Sequence, residues 1–167
     1  DPQRTMLEIL RTSFAEFDAM QDHLAIGYTA GELSRIMDSG KTAVLLGLEG
    51  LDGLGTEPDW LHTLYHLGFR HAMLTWSTDN AFAAGSAHEG PGDGITALHI
   101  MERLGMLVDV SHASEKTFWD IVSHTEKPFI ASHSNAWSLC PAKRNLKDDQ
   151  IRAIAERGGV IGMNAWC

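Results

Sequence analysis

Apolar residues recur at helical spacing over residues 7–20, where Leu7, Ile9, Leu10, Phe14, Phe17 and Met20 fall toward one face. Thr29-Ala30-Gly31-Glu32 then reads as a capping box that starts a second helix, ending near Gly40. Beyond it the pattern changes to dense apolar runs of strand length, each preceded by a helical stretch. The strands are expected over 42–48, 70–75, 106–110, 128–131 and 160–164. The intervening helices are expected over about 58–67, 95–104, 114–123 and 147–156, with Gly68, Gly105 and Gly158-Gly159 as C-terminal stops. Residues 77–94 form a Gly-rich loop and are the least regular stretch.

Five strands alternating with helices imply parallel pairing and right-handed crossovers. Nearly continuous apolar strands fit a sheet covered by helices on its outer face, with a packed interior. An open doubly wound sheet and a (β/α)8 barrel both satisfy this α/β pattern. No Gly-x-Gly-x-x-Gly follows the first strand and no Walker sequence occurs, which weakens a nucleotide-binding fold. A complete barrel needs about 250 residues, so the 167 present are expected to supply roughly five strand–helix units of one.

Composition narrows the partners. A formal charge of −9 without any Lys/Arg-rich block argues against nucleic acid and anionic membrane surfaces. Cys140 and Cys167 are too few for a disulfide framework, so reduced thiols and a cytoplasmic location are expected. No apolar run is long enough to span a bilayer. The chain starts at Asp1 and stops at Cys167 directly after a strand, so it is expected to be a central piece of a longer domain.

In a barrel, chemistry gathers at the C-terminal ends of the strands. Those ends carry Glu49, then Thr75-Trp76, then His112, then His133-Ser134-Asn135. Taken singly, each has a plainer reading: a glutamate after a strand is commonly a solvated loop charge, and a histidine in a βα turn is commonly just hydrogen-bonded. Together they make a stronger case, because Asp109-Val110-Ser111-His112 and Ala131-Ser132-His133 share one context, an apolar strand running through Ser-His into a polar turn. One carboxylate and two imidazoles suit zinc. His62 and His66 share a helical face but lie on an outer helix. His71 sits at a strand's N-terminal end, the face associated with stability rather than catalysis.

Gly47-Leu48-Glu49-Gly50, Asp109 through Ser114, and Ser132-His133-Ser134-Asn135-Ala136 resemble signature segments of the membrane (renal) dipeptidase family of zinc peptidases. The stretches 139–145 and 154–162 resemble it too, in the same order, so the resemblance runs from about residue 28 to the end. It implies a (β/α)8 metal-dependent hydrolase barrel with two zinc ions that hydrolyses dipeptides by attack of a bridging hydroxide on the peptide carbonyl. It also implies that Glu49 bridges the two metals, that His112 and His133 hold the second, and that Arg144 grips the substrate's C-terminal carboxylate, which a planar guanidinium does through two parallel bonds. Without the resemblance, Arg144 reads as a solvated loop cation.

Four departures stand out. The family's first-strand His-x-Asp pair and its late-strand aspartate have no counterpart within residues 1–167. Trp76 occupies the position where mammalian members carry a histidine that polarises the scissile carbonyl; an indole has one donor and no charge. The helix over 94–104 is several residues shorter than the family's. Trp76 is therefore expected to contact substrate and to serve catalysis differently. Two other classes remain: a metal-dependent amidohydrolase acting on a small amide, and a non-catalytic barrel that has lost metal function. The sequence leaves a homodimer open.

Overall fold

The computed structural model describes residues 1–88 and 94–165; part of the expected loop over 77–94, and Cys167, lie outside the described residues. Helix α1 (Pro2–Ala19) begins earlier than its apolar pattern, because Asp1 caps it by accepting from the Gln3 N–H at 3.0 Å and Pro2 fills the first turn. Strand β1 (Leu24–Ile26) follows, then α2 (Ala30–Asp38), β2 (Thr42–Val44) and β3 (Leu46–Glu49). A single 3-10 turn (Asp52–Leu54) leads to α3 (Trp60–His66), β4 (Phe69–Met73), α4 (Ile95–Leu104), β5 (Leu107–Asp109), α5 (Glu115–His124) and α6 (Asp148–Glu156).

Thr29 caps α2 as its sequence requires, accepting from the Glu32 N–H at 3.2 Å, while the Glu32 carboxylate takes the Tyr28 N–H at 2.8 Å. Gly105, in the left-handed region at φ 77°, ends α4 where expected.

All pairing between named strands is parallel. β1 pairs with β2, and β3, β4 and β5 form a second ladder in that order. The expected single strand over 42–48 is thus two. It breaks at Leu45, so that one half pairs backward with β1 and the other forward with β4. β1 escaped the periodicity because three residues are too few to show an alternation.

The expected strands over 128–131 and 160–164 shrink to parallel bridges, Asp109 with Ile130 and Ala131 with Ile161. Pro128 cannot donate to a ladder. At Gly159 and Gly162 a Cβ would come within 2.0 Å of the Phe129 and Ser132 carbonyl oxygens, so the two segments approach only through bare backbone. The parallel order nevertheless continues outward from β5 through both bridges.

Helices and outer strand faces share one core, with Leu61, Leu98, Met101, Phe118, Ile121 and Phe129 all at or below 1% exposure. Phe118 meets Phe129 edge-on at 5.9 Å, and burying each such side chain contributes about 1.5–3 kcal/mol. Cys140 is disulfide-bonded, which corrects the expectation of a reduced thiol there. No helix among the described residues is long and apolar enough to cross a membrane.

Candidate metal centre

β3, β5 and the bridge at Ala131 end on the same side of the sheet, and the residues that follow converge there. Glu49 closes β3 with a half-exposed carboxylate. Its Oε1 lies 3.1 Å from Nε2 of His112 and 3.4 Å from Nε2 of His133, and the two Nε2 atoms are 2.9 Å apart. Among the described residues these three form the group whose ligand atoms all fall within 4.8 Å of one another.

His112 occupies its place under strain. At φ 68° it is the non-glycine residue with positive φ among the described residues, a conformation that costs about 1–3 kcal/mol. The turn is held there by Ser86, whose N–H donates to the His112 carbonyl at 2.8 Å, and by Ala113, whose N–H reaches the Val110 carbonyl at 3.1 Å.

Each imidazole is oriented by a serine. Ser77 Oγ lies 2.9 Å from Nδ1 of His112, and Ser132 Oγ lies 2.7 Å from Nδ1 of His133. With both Nδ1 atoms engaged, both rings turn Nε2 toward Glu49. Burial pushes the His112 pKa down, and the positive charge of Arg144 and the neighbouring His133 push it further, against the attraction of Glu49. A lowered value keeps the ring neutral, which leaves a lone pair for a metal.

The donor set fits such an ion. Two bare imidazole nitrogens and a carboxylate oxygen are zinc-type ligands, and tetrahedral donors about 2.0–2.1 Å from zinc lie roughly 3.3 Å from each other, close to the spacing here.

Trp76, half-exposed, lies 5.6 Å from the His112 ring, centroid to centroid. Arg144 donates from Nη2 to the His133 carbonyl at 2.7 Å, while its Nε is buried with no partner. The structure therefore brings Glu49, Trp76, His112, His133 and Arg144 into one neighbourhood. α1 and β3 frame a cavity of about 730 Å³ lined by Met6, Leu10, Phe14, Leu48 and Glu49 itself.

Two members of this neighbourhood escaped the sequence reading. Asp109, fully buried at the end of β5, accepts from His71 Nε2 at 2.6 Å. His71 thus faces the interior and reaches the site's floor instead of serving the stability face. Asp109's place three residues before His112 was the only signal available. Burial alone would raise the Asp109 pKa, but bonds from His71, the Ser132 hydroxyl and the backbone N–H groups of Ser111 and Ser132 outweigh it and hold the value at about 2.

A carboxyl depressed in the folded state adds stability above its unfolded pKa and loses it as pH falls through the folded value. About 2 kcal/mol should therefore disappear between roughly pH 4 and pH 2. Urea midpoints across that range check this: Asp109→Asn should flatten the slope.

The family described as membrane dipeptidase (peptidase family M19) matches residues 4–167. An uncharacterized dipeptidase of Schizosaccharomyces pombe is 39% identical over 142 residues, covering 80% of this chain and 34% of that protein. The dipeptidase verJ of Clonostachys rogersoniana is 32% identical over 167 residues, covering 92% and 43%. Among solved structures, a metallo peptidase from Rhodobacter sphaeroides, liganded with a phosphinate mimic of the dipeptide L-Ala-D-Ala, superposes with a TM-score of 0.92 at 28% identity. It is covered over 49% of its length by 97% of this chain. The chain spans about half or less of the length of most of these relatives.

Proposed function

The chain belongs to the membrane dipeptidase family, and from that premise we propose that the whole protein is a dinuclear zinc dipeptidase whose second zinc is held by Glu49, His112 and His133. The observation that carries this reading is the convergence of two imidazole Nε2 atoms and one carboxylate oxygen within hydrogen-bonding distance of each other, each ring fixed from behind by a serine. Residues 1–167 are then the central part of one barrel domain.

When bound, the metals supply Lewis acidity and a water activated near neutral pH. The chain's own residues do the rest. Glu49, at the end of β3, would hold metal together with His112 and His133. Arg144, anchored by one bond from Nη2 to the His133 carbonyl, offers its remaining terminal N–H groups to the C-terminal carboxylate of the substrate, a planar donor onto a planar acceptor. That clamp limits the substrate to the length of a dipeptide. Trp76 covers the site beside His112 and offers one indole N–H to the carbonyl oxygen as charge builds on it.

A substrate panel tests the reading on the full-length, zinc-loaded protein. Free dipeptides, including those with a D-residue at the second position, should be cleaved. The same dipeptides with an amidated C-terminus should be poor substrates. Preference for the amides would favour an amidohydrolase of another specificity. A cytoplasmic location, expected from composition, is opposed by the disulfide at Cys140, since reducing compartments keep thiols free. Alkylation of protein isolated without reductant decides this point, and sedimentation of the same sample reads the homodimer.

A further inference from the structure

Below the three candidate ligands, one carboxylate gathers the backbone of both histidine turns. Asp109 Oδ1 accepts from the N–H of Ser111 at 2.9 Å and from the N–H of Ser132 at 3.0 Å. Each of these residues immediately precedes a histidine of the site. The turns are also tied to each other, because the Ser111 hydroxyl accepts from the His133 N–H at 3.1 Å.

The side chain of Ser132 adds a direct route to the ligand. Its hydroxyl lies 2.7 Å from Nδ1 of His133, and its backbone N–H is the one Asp109 holds. A hydroxyl that accepts from Nδ1–H leaves Nε2 of His133 without a proton, facing Glu49.

Asp109 Oδ2 is held from the neighbouring strand by His71 Nε2 at 2.6 Å. Room for the His71 ring exists because Gly47 has no side chain; a Cβ there would stand 2.1 Å from Nδ1.

We propose that Asp109 is a positioning residue for the metal centre. Through two backbone N–H groups it sets the spacing of His112 and His133, and by holding Ser132 it seats the hydroxyl that turns His133 with Nε2 toward Glu49. His71, seated over Gly47, holds the carboxylate in register. The proposal rests on Glu49, His112 and His133 being metal ligands. Partners of this kind behind a metal-bound histidine fix its orientation, and their loss costs about 10- to 100-fold in metal affinity.

The test uses the full-length protein with Asp109→Asn, Ser132→Ala and Ser132→Thr. Zinc affinity is measured by competition with a chromogenic chelator, and the melting temperature is measured on the zinc-free form. The more weakly held zinc should lose roughly 10- to 100-fold in affinity in Asp109→Asn and about tenfold in Ser132→Ala, with Ser132→Thr restoring it. Nitrogen NMR of His133 in the zinc-free protein should show one tautomer in the parent and a mixture in Ser132→Ala.

Unchanged affinity in the folded variants, with only the melting temperature lowered, would make Asp109 a structural tie and overturn the proposal. If Asp109→Asn does not fold, the two Ser132 variants decide alone. A parent that binds no zinc would overturn the ligand assignment itself, a different result from a parent that binds zinc and variants that bind it equally well.

Discussion

Replacing Glu49 with glutamine should reduce dipeptide hydrolysis by the full-length protein at least about 10³-fold, because metal-supplied charge stabilisation is worth several kcal/mol. The substitution changes one oxygen to a nitrogen and removes a charge. It leaves the strand untouched: β3 pairs with β4 through its backbone, and the Glu49 side chain is half-exposed. Folding should therefore survive, with a melting temperature for the zinc-free form within a degree or two of the parent's. Steady-state kinetics beside metal analysis separates the contributions. Activity and zinc content should fall together, since an amide is a poor ligand for either metal. Activity lost with full zinc retained would move Glu49 from ligand to acid–base group.

The second large effect concerns Arg144. Truncation to alanine removes two charge-assisted bonds to the substrate, so kcat/KM for a free dipeptide should drop about 100-fold, carried mainly by KM. Lysine should recover only part of this, because an ammonium cannot grip a carboxylate in parallel. Amidated dipeptides should show almost no difference between parent and variant, and that contrast identifies the group Arg144 meets. A second consequence follows from position. Arg144 helps push the His112 pKa down, so its removal lets that value rise toward the ordinary histidine range. Protons then compete with metal at higher pH, and the acid limb of zinc binding should shift upward in Arg144→Ala.

Much of this site could be read from residue order. Each of the candidate ligands Glu49, His112 and His133 lies at or just beyond a strand or bridge end, and the repeated Ser-His context marks the two histidines as a pair. Helix ends were equally readable where a cap or stop is local, as at Thr29 and Gly105. What the sequence hid depends on contacts between distant segments. The break at Leu45 follows from β2 and β3 having different partners, which no property of residues 42–49 announces.

The thinning of the strands over 128–131 and 160–164 has a similar cause. Apolar content there satisfies burial, while Pro128 and the close backbone approach at Gly159 and Gly162 limit the ladder. The depth of His71 along β4 suggests the stability face, but its ring bonds to Asp109. Only the register, which sets Gly47 beside it and Leu107 beyond, shows that its ring has room to reach Asp109 two positions further up β5. Ser77 joins the site from a loop whose path the sequence did not define.

The central claim is that His112 and His133 share one metal with Glu49. Zinc content per chain, measured on the full-length protein and on the same protein with His112→Ala and His133→Ala together, tests it most directly. About two zincs in the parent, falling to about one in the double variant, is the predicted result for a two-metal site. A parent without zinc, or a double variant that keeps the parent's full content, would contradict it.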